Sequence, residues 1–232
     1  MSPFTVRTGA VAGWFGFIGV VGGLIVIPGV IAGQPPTSST DLSAVGAYFA
    51  HPQLALQFGL VNGFIAVAII AFGLGLRAAI GSVADDRARA LADVGLGLIV
   101  VTTAVYLISG ALGAALVDVA TRGGGELATL FRLYDVMYNG LADVLEGAWI
   151  GAFSMAMLSG GALPTWIGWL GVVLGLSRWV KALAPFVVLP DAVTAVSGLL
   201  FLAWFLATVV ALTRFAMRSA PAPSPSAARA EV

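Results

Sequence analysis

The stretch VGLGLIVVTTAVYLISGALGAALV, residues 94–117, holds no Asp, Glu, Lys or Arg. Some 20 such residues at 1.5 Å per residue cross a hydrocarbon core roughly 30 Å thick, and a helix is the state in which one segment satisfies its own backbone there. Residues 8–40, 54–76 and 192–213 are equally free of charge. Over the whole 232-residue chain 59% of residues are hydrophobic, only 9% are charged, and the mean hydropathy is +1.02. An ordinary soluble domain is about 25% charged, so this chain lacks the polar surface to dissolve. The sequence therefore predicts an all-α polytopic membrane bundle. Six segments are expected to span, at about 10–32, 54–76, 92–117, 138–159, 165–184 and 192–214. They fill one transmembrane domain, residues 1–218, and leave no room for a soluble one. Residues 219–232, SAPAPSPSAARAEV, have the composition of a disordered tail.

The first segment is too long for the roughly 7–15 residue apolar region of a secretion signal and is expected to be retained, although Ile31–Ala32–Gly33 before Gln34 is faintly cleavage-like. With no cysteine, the chain forms no disulfide, thiol nucleophile, iron–sulfur ligand or lipoprotein anchor. A net charge of zero and the lack of a basic block argue against nucleic acid as a partner. Orientation follows from loop charge. With the N-terminus inside, Arg7, Arg77, Arg87, Arg89, Arg214, Arg218 and Arg229 fall on the cytoplasmic side, against Arg122, Arg132, Arg178 and Lys181 outside. Seven cations against four favour both termini inside, in a bacterial cytoplasmic (inner) membrane. The tail is then cytoplasmic, and residues 33–52, rich in Pro and Ser, form an outer loop.

Glycine marks the helix contacts. Gly13, Gly16, Gly19 and Gly22 recur every three residues, and Gly9/Gly13, Gly19/Gly23 and Gly59/Gly63 form small-xxx-small pairs. The first segment's glycine face is expected to pack within the bundle; the alternative is a homo-oligomer seam using Gly13, Gly16, Gly19 and Gly23. Gly168, Gly171 and Gly175 make a similar groove on the fifth segment, which Arg178 continues.

The remaining charges gather on the fourth and fifth segments. At 100° per residue Arg132, Asp135, Asn139, Asp143 and Glu146 share an arc of about 80°, a polar stripe that must face protein or water rather than lipid. The short uncharged link SGGALP, residues 159–164, predicts an antiparallel hairpin centred near position 162. Glu146 and Arg178 then stand at equal depth, about 24 Å from the turn, as do Asp143 and Lys181 at about 28 Å. A desolvated carboxylate requires such a partner. Two readings follow: ion pairs that only fasten a hairpin, or the wall of a polar pocket. Gln57 and Asn62, Tyr106 and Ser109, and Asp191, Thr194 and Ser197 converge on the same outer half, which favours a pocket. Asp135 is expected at its mouth, solvated.

Enzymatic readings find little support. His51 is the only histidine and Lys181 the only lysine; Ser154 has neither at its depth, and no phosphate-binding loop follows a strand. No metal or cofactor is expected. A lone lysine suggests a retinal Schiff base, but six spans with the lysine off the last one speak against it. Ser159, Gly160 and Gly161 followed by Leu163, Pro164, Thr165, Trp166, Ile167, Gly168, Trp169 and Leu170 resemble the turn and helix start of multi-pass bacterial membrane proteins of the domain-of-unknown-function type. That resemblance implies a compact inner-membrane helical bundle and assigns no activity or site residue. The leading expectation is a protein that handles or senses a small molecule or ion in an outward-opening pocket, with Asp135, Asn139, Asp143, Glu146, Arg178, Lys181, Asn62 and Tyr106 as its polar lining. The alternative is a non-catalytic structural or assembly subunit; apart from the lipid bilayer, neither reading names a partner.

Overall fold

The computed structural model describes residues 3–37, 40–123 and 125–218, so the tail at 219–232 lies outside the described residues. Within them the chain is helical, with no strand. Five helices are long and apolar enough to cross a membrane: α1 (Phe4–Ala32), α3 (Gln53–Gly81), α4 (Asp86–Arg122), α5 (Leu127–Gly160) and α7 (Asp191–Arg218). Two others complete the set, the eight-residue α2 (Leu42–Phe49) and the 17-residue α6 (Thr165–Lys181).

The ends of these helices have local causes. Asp85 caps α4, its carboxylate accepting from the Ala88 amide at 2.8 Å, and Gly123 closes it in the left-handed conformation at φ 76°. The fifth expected segment stops early, at Lys181 rather than 184, because the chain turns ahead of Pro185 and Pro190, which a helix does not accommodate. The expected loop at 33–52 contains α2. Its Val45, Tyr48 and Phe49 are buried against Leu54, Phe58, Leu116 and Phe131, forming a small second core beyond the main one. α5 starts at Leu127, well before the expected 138.

Antiparallel packing runs through the bundle. Gly9, Gly13, Gly19 and Gly23 of α1 descend past Gly75, Phe72, Ile65 and Val61 of α3, and a Cβ on Gly9 would overlap the Gly75 backbone. Gly13 and Gly16 also touch Val209 and Phe205 of α7. The glycine face of α1 is thus consumed inside the chain. Gly13, Gly16, Gly19 and Gly23, the residues named for the alternative seam between copies, all make these contacts within the bundle. Phe72, Ile99, Trp149, Phe153, Trp204 and Phe205 form the centre of the main core. The surface carries large apolar side chains such as Val30, Leu60, Phe64, Val67 and Trp169, as lipid contact requires.

Three of the long helices are not regular throughout. Gly19–Val26 in α1, Gln57–Val61 in α3 and Val136–Leu141 in α5 are π-helical, with wider turns than the α-helix around them. Such insertions are rare and concentrate at functional sites, where they re-aim the side chains that follow. All three adjoin one cavity.

Candidate functional site

The α5–α6 hairpin builds the polar side of that cavity. Gly161, left-handed at φ 64°, ends α5, and α6 begins after Pro164. The two backbones then approach so closely that a Cβ on Gly147 would lie 2.7 Å from the Gly175 carbonyl oxygen. Gly171 likewise faces Ser154 and Trp204. The groove read from Gly168, Gly171 and Gly175 is therefore the surface on which α5 lies, and this contact brings four charges together.

Lys181 Nζ donates to Asp143 Oδ2 at 2.6 Å, and Arg178 Nη1 to Asp143 Oδ1 at 3.1 Å. The other guanidinium nitrogen, Nη2, lies 3.5 Å from Glu146 Oε1, while the Tyr106 hydroxyl of α4 donates to Glu146 Oε2 at 2.7 Å. Both depth-matched pairs exist, and a cross-link from Arg178 to Asp143 joins them into one chain: Lys181, Asp143, Arg178, Glu146, Tyr106. Asp143 is 1%, Glu146 4% and Arg178 7% exposed, so the network lies out of bulk water. Its formal charge is zero, two carboxylates against two cations. Arg178 also sits 4.8 Å from the ring centre of Phe201 on α7, and its Nε has no hydrogen-bond partner among the described residues.

This network forms part of the wall of a cavity of about 290 Å³, to which every helix except α2 contributes. The lining also includes the polar side chains of Asn62, Thr103, Tyr106 and Tyr138 and the apolar ones of Leu24, Ile25, Ile65, Ile69 and Phe201. The cavity is amphipathic: its charges come from α5 and α6, its neutral polar groups from α3, α4, α5 and α7, and its apolar side chains mainly from α1, α3 and α7.

Of the eight polar residues singled out from the sequence, Asn62, Tyr106, Asp143, Glu146, Arg178 and Lys181 line the cavity, whereas Asp135 and Asn139 do not. Asp135 is 2% exposed rather than solvated at a mouth; it accepts from Asn139 Nδ2 at 2.8 Å through Oδ1, and its Oδ2 has no hydrogen-bond partner among the described residues. The cause is the π-helical stretch 136–141. A stripe drawn at 100° per residue assumes an unbroken α-helix, and the extra residue in a wide turn rotates Asp135 and Asn139 off the face of Asp143 and Glu146. Ser109 bonds to the Val105 carbonyl at 2.9 Å and Ser197 pairs with Ser177 at 3.2 Å, so both are spent locally. Gln57 and Asp191 also stay off the wall, whereas Thr194 joins it.

Thr102, Thr103, Tyr138, Trp149 and Gly198 are lining residues that sequence reasoning passed over. Thr102 and Thr103 stand one turn before Tyr106 on α4, so helical spacing from that tyrosine would have found them. Tyr138 belongs to an aromatic column: it stacks on Tyr134 at 5.4 Å and meets Tyr106 edge-on at 5.6 Å. Tyr134 in turn packs against Phe58 and against Phe49 of α2. Comparison with protein families, characterised proteins and solved structures returns no match.

Proposed function

We propose that the protein binds a small molecule in this cavity, as a carrier, binding subunit or sensor. The observation that carries the reading is the placement of the charged network on a cavity wall. Ion pairs that only fasten a hairpin have no need of adjoining space, and well-packed apolar residues fasten as well or better. Two of the π-helical stretches supply lining residues, Val20, Leu24 and Ile25 on α1 and Tyr138 on α5, and the third ends just before the lining residue Asn62, which points the same way.

We further propose six spans with both termini in the cytoplasm of a bacterial inner membrane, α6 being the sixth. At 1.5 Å per residue its 17 residues cover about 26 Å, the short end of the spanning range. Because Arg178 and Lys181 are engaged by Asp143 and Glu146, they drop out of the loop-charge comparison, which leaves Arg122 and Arg132 against seven cations and widens the bias.

Solvent access tests the binding reading. Thr103→Cys lines the cavity, whereas Ile150→Cys sits in the main core at 0% exposure. In purified protein, a small methanethiosulfonate reagent is expected to modify the cysteine at 103 much faster than that at 150. Equal inertness of the two makes the region dry packing and leaves a structural subunit as the better description, a reading that the mutual pairing of all four charges would then suffice to explain.

A further inference from the structure

The cavity's groups differ in how far they are already engaged. The charged ones are mutually paired and sum to zero. Of the neutral ones, Tyr106 and Thr102 are already bonded, to Glu146 and to the Leu98 carbonyl, whereas the side chains of Asn62, Thr103, Tyr138 and Thr194 make no hydrogen bond to any other described residue, although each lines the cavity. A ligand of net charge would have to split an ion pair to find a counter-charge, leaving a buried charge behind. A neutral hydroxyl, carbonyl or amide meets waiting partners at no such cost.

The rest of the wall sets the remainder of the ligand. Leu24, Ile25, Ile65, Ile69, Ile99 and Phe201 suit a hydrocarbon body. The way in follows from how α1 and α7 pack. They touch through Gly13, Gly16 and Phe17 against Val209 and Phe205, and Trp14 Nε1 donates to Thr213 across the pair. Beyond Gly19, where α1 becomes π-helical, the cavity lies between them, with Ile25 and Thr194 exposed at its edge. On α5, the stacked Tyr134 and Tyr138 continue towards α2 through Phe58 and Phe49, closing that direction with rings. A gap between two membrane-spanning helices opens towards lipid.

We infer that the occupant is a neutral amphiphile that enters sideways from the bilayer between α1 and α7, its polar head hydrogen-bonded by Tyr138, Asn62 and Thr103 and its hydrocarbon body along Leu24, Ile65 and Phe201. This rests on the binding function proposed above and adds ligand class and route. A single charge-free head distinguishes it from an ion or a polar solute.

The test uses the full chain in lipid nanodiscs and a decanol analogue bearing an alkyl diazirine, cross-linked by light and mapped by mass spectrometry. Labelling is expected on α1 near residues 20–25 and on α7 near 198–202. Decanol should compete for it at bilayer concentrations at least 10-fold below those needed for decyl sulfate or decyltrimethylammonium. Gly198→Leu, whose new side chain would project into open space at the cavity wall, should abolish that labelling while leaving labels on lipid-facing positions such as Leu60. Tyr138→Phe, a conservative change that keeps the aromatic column, should weaken decanol competition about 2- to 10-fold, the worth of one neutral hydrogen bond. If a charged competitor matches decanol, the neutral-head inference falls while the cavity remains a binding site. If the wild type carries labels only on lipid-facing positions and Gly198→Leu changes nothing, both readings fall.

Discussion

Asp143 is the residue on which the charged network turns, because it alone holds two cations, Lys181 at 2.6 Å and Arg178 at 3.1 Å, while itself 1% exposed. Asp143→Ala leaves Lys181 without a carboxylate in contact and Arg178 with only Glu146 at 3.5 Å. Breaking a buried pair by removing one partner costs about 3–5 kcal/mol, and stranding two cations places this variant at the upper end. For a chain of 232 residues, at about 2–4 °C per kcal/mol, thermal unfolding in detergent should fall by roughly 8–20 °C. Adding Lys181→Met removes the more completely stranded cation and leaves Arg178 with Glu146, so the double variant should recover at least about 1.5 kcal/mol of that loss. The two single changes and the double change, measured as a cycle, give the coupling directly. Losses that add within about 0.5 kcal/mol would refute the contact. A loss under about 1 kcal/mol for Asp143→Ala alone would refute the burial, since that is the range of a solvent-screened pair.

Gly175→Ala puts a Cβ 2.9 Å from the Gly147 carbonyl oxygen, a backbone atom that can yield only if the hairpin opens, and should cost about 1–3 kcal/mol in thermal unfolding; an unchanged midpoint would show that α5 and α6 are not in backbone contact. Asp135→Asn removes a buried charge whose Oδ2 is unpartnered, so it should be neutral or stabilising and leave ligand binding intact, because position 135 is off the cavity wall; loss of binding at unchanged stability would restore Asp135 to a pocket mouth. For orientation, cysteines at Ala44 and Val83, both exposed, should respectively react with an impermeant maleimide in intact cells and only after lysis, and the opposite pattern would invert the proposed topology.

How much of this was legible depends on which regularity each feature obeys. Charge-free runs reveal membrane helices whatever their neighbours, so α1, α3, α4 and α7 could be read directly. The pairs Asp143–Lys181 and Glu146–Arg178 were legible because a short turn leaves an antiparallel hairpin little freedom of register, and depth is all that an ion pair along it needs. Asp135 and Asn139 were misplaced because azimuth, unlike depth, accumulates error at every residue, and the π-helical stretch 136–141 breaks the 100° step between them and Asp143. Nothing in VMYNGL declares that a wide turn forms there. The role of α2 was hidden too, since the sequence shows its Pro- and Ser-rich surroundings but not Phe58 and Phe131 waiting to cover Val45 and Phe49.

The fastening and binding readings of the charged network need not compete for the same groups. Asp143, Glu146, Arg178 and Lys181 are held by one another and by the close approach of Gly147 to Gly175, so they can fix the hairpin with the cavity empty. Being fixed and neutral in sum, they give the cavity a polar wall that demands no counter-ion from a ligand. On the binding reading proposed above, selectivity then falls to uncharged lining groups, Tyr138, Asn62 and Thr103, which make no side-chain hydrogen bond to the other described residues. An exchange of one cation for a neutral residue would upset this division. Lys181→Met alone leaves Asp143 and Glu146 sharing Arg178, a wall of net charge −1, and such a wall should admit the cationic decyltrimethylammonium that the proposed neutral-ligand cavity is expected to exclude. The gain of a cationic ligand by removal of a cation, in a variant that still folds, is an outcome that a dry fastener does not produce.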